Sequence, residues 1–129
     1  MSRKLFLVIA SVLAFIFGFT MLLAPSSMLE NMATVNTTDM AHVLQWGGTM
    51  LITIGLVTFL SRNDPGSTAL RAVLTGNIFM HIVALVVDIY DFKIDFIKSS
   101  GLISGSVVHG LLIIGFIYFL RRLPNQQGN

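Results

Sequence analysis

The stretch ALRAVLTGNIFMHIVALVVDIY, Ala69 to Tyr90, decides the fold class of this chain. It is apolar over the roughly 20 residues that carry an α-helix across the hydrocarbon core of a bilayer. Between Arg71 near one end and Asp88 near the other, only Asn77 and His81 bring strongly polar groups into it. Three more stretches read the same way, Leu5–Ala24, Val43–Leu60 and Leu102–Leu120. The four together predict an all-α, integral membrane four-helix bundle in a single domain.

Composition agrees. Hydrophobic residues make up 54% of the 129 and charged residues 11%, where soluble domains carry about a quarter charged. Eight Lys and Arg stand at the ends of the apolar stretches, without the interleaved aromatics of a nucleic-acid surface. No cysteine is present, which excludes disulfides, thiolate metal sites and cysteine nucleophiles. Arg3 and Lys4 before an apolar run have the charge order of a signal peptide. The run is longer than the about 7–15 residues of a signal core, and Pro25 spoils the cleavage context, so a retained first span is expected.

Each span has its punctuation. Pro25 stops the first, and Thr38 or Asp39 is placed to cap the second, which ends in the Arg62-Asn63-Asp64-Pro65-Gly66 turn. Ser99, Ser100 and Gly101 precede the fourth, closed by Arg121, Arg122 and Pro124. Ser27-Met28-Leu29-Glu30 has the pattern of a capping box, so the first loop reads either as a short interfacial helix or as a plain polar loop.

With four spans, Arg3, Lys4, Arg62, Arg71, Arg121 and Arg122 fall on one side, against Lys93 and Lys98 on the other. The positive-inside rule then puts both termini in the cytoplasm, in up-down-up-down order. A bacterial inner membrane is the expected setting. Trp46, Tyr90 and Tyr118 sit at the expected interfaces. Small residues mark packing lines: Ala10, Ala14 and Gly18; Gly47, Gly48 and Gly55; Ala72 and Gly76; Gly101, Gly105, Ser106 and Gly110. The seven methionines and ten phenylalanines read as lipid-facing and core fill.

The ionisable groups inside the bilayer are the candidate site, since such residues are costly there and tend to mark function. Asn77, His81, Ala84, Asp88 and Asp91 follow 4-3-4-3 steps and share one helix face. On the fourth span, Ser106 and His109 share another. Counted at about 1.5 Å per residue, His81 and His109 lie at one depth, roughly 3 Å to the outer side of the midplane. Asn77, His81, Asp88, Ser106 and His109 are therefore the candidate ligand-binding residues. A purely structural reading has each imidazole neutral and hydrogen-bonded, His81 to Asn77 or a facing hydroxyl, His109 to Ser106 or to its partner. A second reading has the pair line a pocket for a lipid headgroup or a quinone-like ring. A third has two histidines hold a haem. A fourth has His81 and Asp88 hold a metal or relay protons, although zinc needs three or four ligands and the only acids near this depth lie at the membrane surface. His42 at the outer boundary reads first as a surface histidine near water, and the sharper alternative has it reach Asp88 as a pH-sensitive pair.

Leu22-Leu23-Ala24-Pro25 closing the first span, Trp46-Gly47-Gly48 opening the second, Gly55 within it, and Arg71-Ala72 leading into the third resemble the DoxX-like class of small four-helix membrane proteins. The resemblance implies the fold and an accessory role; it carries over no catalytic residue. The leading expectation is a membrane accessory or interaction protein, self-associating or bound to another membrane protein, whose polar seam holds a lipid or other lipophilic molecule. No resident cofactor or metal is expected. The alternative is a redox or isomerising membrane enzyme that uses His81, His109 and Asp88 on a quinone-like or lipid substrate.

Overall fold

A computed structural model of the chain describes residues 1–124. It contains five α-helices: α1 Arg3–Leu23, α2 Pro25–Met32, α3 Thr38–Leu60, α4 Thr68–Lys93 and α5 Ser99–Arg121. A 3₁₀ turn at Ser61–Asn63 extends α3. The four long helices are each long and apolar enough to cross a membrane. No β-strand of more than an isolated bridge occurs among the described residues.

The helix ends follow local hydrogen bonding. Ser2 caps α1, its hydroxyl accepting from Leu5 N–H, and Ser67 caps α4 by accepting from Leu70 N–H. The cap of α3 is Thr37, whose hydroxyl accepts from Met40 N–H at 3.3 Å, one residue before the expected Thr38 or Asp39. Helix α3 thus starts ahead of the apolar run at Val43, because a cap, not the hydrocarbon boundary, sets a helix start. The short helix in the first loop is present, but the expected capping box at Ser27 is not. Pro25 opens α2 in its first turn, where the missing N–H costs nothing, so Ser27 is already inside the helix and its carbonyl accepts from Asn31 Nδ2 at 2.7 Å. Ser99, Ser100 and Gly101 likewise form the first turn of α5 and do not precede it.

The helices pack as two close pairs. Helix α1 lies mainly on α3, and α4 mainly on α5, while α3 and α4 meet at few points. Glycine makes the first pair close. A Cβ on Gly48 would stand 2.7 Å from the carbonyl oxygen of Gly18, and one on Gly18 would stand 3.0 Å from that of Gly48. In lipid, where apolar surface gains nothing by leaving the tails, such backbone approach supplies dispersion contacts. Gly55 sits against Ala14 and Phe15 in the same seam. Gly115, outside the expected small lines, receives the ring of Phe6. Gly76 and Gly110 do not belong to these contacts: a Cβ at either meets nothing within 4 Å.

One end of the bundle is filled. Phe6, Leu7 and Ala10 of α1, Leu70 and Leu74 of α4, and Leu112, Phe116 and Phe119 of α5 form a buried cluster with Leu123. Phe6 meets Phe116 edge-on, with ring centroids 4.9 Å apart. The basic residues close this end. Arg3 donates to the carbonyl of Asp64, and Arg71 to those of Leu123, at 3.1 Å, and Pro124. At the other end, α2 and the residues after it are tied to the α4–α5 turn. Thr34 N–H donates to Phe96 O, Lys98 N–H to Met32 O, and Ser100 Oγ to Asn31 O. Large apolar side chains such as Val43, Trp46, Phe79 and Ile114 point outward, which fits a surrounding of lipid.

Candidate functional site

The two helix pairs meet at few points, and the interior near α2 is open. A cavity of about 500 Å³ lies between them, within the usual range for small-molecule sites, roughly 300–1,000 Å³. Its wall includes Met21 of α1, Met28 and Met32 of α2, Met50 of α3 and Met80 of α4. Five of the seven methionines in the chain therefore share one cavity, where the sequence suggested scattered fill. They arrive from four helices, so no spacing along the chain announces them.

The polar groups form a row along the α4–α5 side of this cavity. The row is built by the antiparallel crossing of α4 and α5, which brings residue 81 opposite 109 and residue 88 opposite 105. His81 is 6% exposed, with its ring stacked on Phe116 at 5.9 Å. Its Nδ1 stands 2.8 Å from Nδ1 of His109, a hydrogen bond between imidazoles. Nε2 of His109 lies 3.8 Å from Oδ2 of Asp88. That oxygen is buried and has no hydrogen-bond partner. Gly105 is what admits it, for a Cβ there would overlap the Asp88 carboxylate.

The other candidates separate. Asn77 is buried, but its Nδ2 donates to Thr58 Oγ1 at 3.1 Å and to Val73 O at 2.9 Å, away from His81. It fastens α4 to α3 beside a smaller void of about 60 Å³, which His81 and His109 also line. Ser106 lines neither cavity. Ser104, Gly105, Val108 and His109 face the larger one instead, and one residue of α-helix is a turn of about 100°. His42 is exposed, with Nδ1 at 3.2 Å from Gln45 Oε1; Asp88 has His109 as its neighbour, not His42.

The geometry limits the chemistry. Among the described residues, no group of three or more His, Asp or Glu is placed to hold a metal ion. Two imidazoles on opposite sides of one iron hold their nitrogens about 4 Å apart, given metal–nitrogen bonds near 2 Å. The facing nitrogens here are at hydrogen-bond distance, so the pair must part to ligate a haem. As it stands, the row can accept or donate a proton at the wall of an apolar chamber. Comparison with protein-family models, curated proteins and solved structures finds no match to this chain.

Proposed function

We propose that this protein is a small accessory or interaction protein of a membrane, and that its cavity holds a lipophilic molecule. The observation that carries the reading is the chamber of about 500 Å³ walled by five methionines, with His81, His109 and Asp88 along one side. Methionine is unbranched and polarisable, and it adapts to ligands of irregular shape. A few polar groups in an apolar wall fix the orientation of what binds. This role suits the resemblance to the DoxX-like class.

The setting proposed is a bacterial inner membrane, with the four spans alternating in direction and both termini cytoplasmic. The support is the gathering of Arg3, Arg62 and Arg71 at the filled end of the bundle, where Arg3 and Arg71 bond across helix ends. The open groove between α3 and α4, lined by Thr53, Val57, Gly76 and Asn77 among others, is where a second copy or a partner span would pack. Native mass spectrometry from mild detergent tests the ligand reading. Bound lipophile is expected on the wild type and its loss in Ala84→Phe, which fills the chamber. A wild type that neither carries nor takes up any lipophile sinks it. The second reading, an isomerising or redox enzyme on a quinone-like substrate, is favoured by one feature, the His81–His109–Asp88 row.

A further inference from the structure

The row has a direction, and the direction names the ligand. A neutral imidazole carries one N–H, on either Nδ1 or Nε2. The Nδ1 atoms of His81 and His109 are 2.8 Å apart, so one of them holds the proton and the other accepts it. The ring that accepts at Nδ1 must then carry its own proton at Nε2. Asp88 decides which ring this is. As a carboxylate it only accepts, and its Oδ2 stands 3.8 Å from Nε2 of His109, beyond hydrogen-bond length but near enough for its charge to favour the N–H on that nitrogen. His109 is therefore the ring protonated at Nε2, and its Nδ1 accepts from Nδ1–H of His81. This leaves Nε2 of His81 bare.

Among the described residues the only hydrogen bond of the His81 ring is the one at Nδ1, and His81 lines the chamber. Resting on the reading that the chamber holds a lipophile, we infer that the occupant presents a hydroxyl to Nε2 of His81, and that it is an aryl alcohol on an apolar body. The donor follows from the bare acceptor, which stays unsatisfied beside a ligand with none to offer. The aryl ring follows from the walls, because thioether sulfurs make favourable contacts with aromatic rings. A ketone or ether of the same shape places an oxygen lone pair against a nitrogen lone pair.

The same order allows one balanced transfer. The ligand O–H gives its proton to Nε2 of His81, Nδ1–H of His81 passes to Nδ1 of His109, and Nε2–H of His109 passes to Asp88 once their 3.8 Å separation closes to hydrogen-bond length. Both imidazoles end as the opposite neutral tautomers, the ligand as its oxyanion and Asp88 as the acid. No oxidant or second substrate is needed.

The test uses the full chain in mild detergent with 4-nonylphenol and its methyl ether, 4-nonylanisole, as probes. The phenol is expected to bind the wild type about tenfold tighter or more, since one added hydrogen bond is worth about that. In Asp88→Asn the side-chain amide can donate to His109, the row can reverse, and the preference is expected to fall to within about twofold. Nitrogen-15 shifts of labelled histidine in the wild type, read without any ligand, should show His81 protonated at Nδ1 and His109 at Nε2. Equal binding of the two probes overturns the inference and leaves the chamber's lipophile reading standing. Binding of neither overturns the inference, and the chamber reading falls with it only where native mass spectrometry also finds no lipophile on the wild type. The reverse tautomers overturn the inference whatever Asp88→Asn does to folding, since they make His81 a donor suited to a carbonyl.

Discussion

Gly105 and Gly110 lie one and a half turns apart on α5, and a single added methyl should do opposite things at the two. At Gly105 a Cβ overlaps the Asp88 carboxylate, while at Gly110 nothing stands within 4 Å. Gly105→Ala is expected to drive Asp88 away from His109 and lower ligand retention at least severalfold. Gly110→Ala should be neutral or gain up to about 1 kcal/mol, as alanine is the better helix former. Thermal unfolding in detergent and ligand retention read the two effects. A pair of alanine variants with indistinguishable behaviour would show that the carboxylate does not depend on Gly105. Outside the spans, Asp64 supplies a pH effect. Its carboxylate accepts from Ser67 Oγ, at 2.6 Å, and from the N–H groups of Ser67 and Gly66, and these bonds hold it below the usual carboxylate range. A folded value below the unfolded one means stability that is present above about pH 4 and lost as pH falls through the folded value. Asp64→Asn should therefore flatten the acid limb of the melting curve below about pH 4; an unchanged limb would mean that other carboxylates set it.

At the scale of elements, glycine contacts rank the helix pairs. Gly48→Leu puts a branched side chain where the backbone of Gly18 stands 2.7 Å from a Cβ, and overpacking of this kind costs about 1–3 kcal/mol. Gly76→Leu enters open space and should cost far less. Melting of the two variants in one detergent checks the order, and equal losses would contradict the α1–α3 seam. Small residues at helical spacing were legible in the sequence, but whether a line meets a helix or a groove was not. Gly76 and Gly110 look the same as Gly18 and Gly48 in a string, because the decision rests on the rotation of each helix against its neighbour. The same holds for Ser106, one residue from the face that α5 turns inward. Caps were legible to within a residue or two: Thr37 and Thr38 offer the same hydroxyl, and the choice is made by backbone conformation. Asp95, in the turn after α4, takes φ +58°, a left-handed conformation that aspartate tolerates and β-branched residues do not. No residue pattern nearby reveals it.

Across the whole molecule, four apolar stretches sufficed to read four membrane-length helices, since the bilayer leaves a backbone few ways to satisfy its own polar groups. That His81 and His109 would meet was legible too, because antiparallel neighbours of equal rise bring such positions level, and their Nδ1 atoms stand 2.8 Å apart. The chamber was not legible. It lies between helix pairs that meet at few points, and its methionines converge only in space. Sidedness is the remaining property of the whole chain, and charge makes a definite claim on it. Arg3 and Arg71 bond to carbonyls at the filled end, Arg62 donates to Phe59 O at 2.8 Å, and Arg122 stacks over Tyr118 there. Lys93 and Lys98 alone stand toward α2, where Lys98 donates to Glu30 O. Six basic residues against two predict that the filled end stays on the side from which cationic loops are hard to translocate. Reporter fusions at Ser2 and at Asn129 should both report the cytoplasm, and the methionine chamber then opens in the outer half of the bilayer. Fusions on opposite sides would require an odd number of crossings and break the four-span scheme. Two external ends would keep the scheme, reverse the charge argument, and move the His81–His109–Asp88 row to the cytoplasmic half.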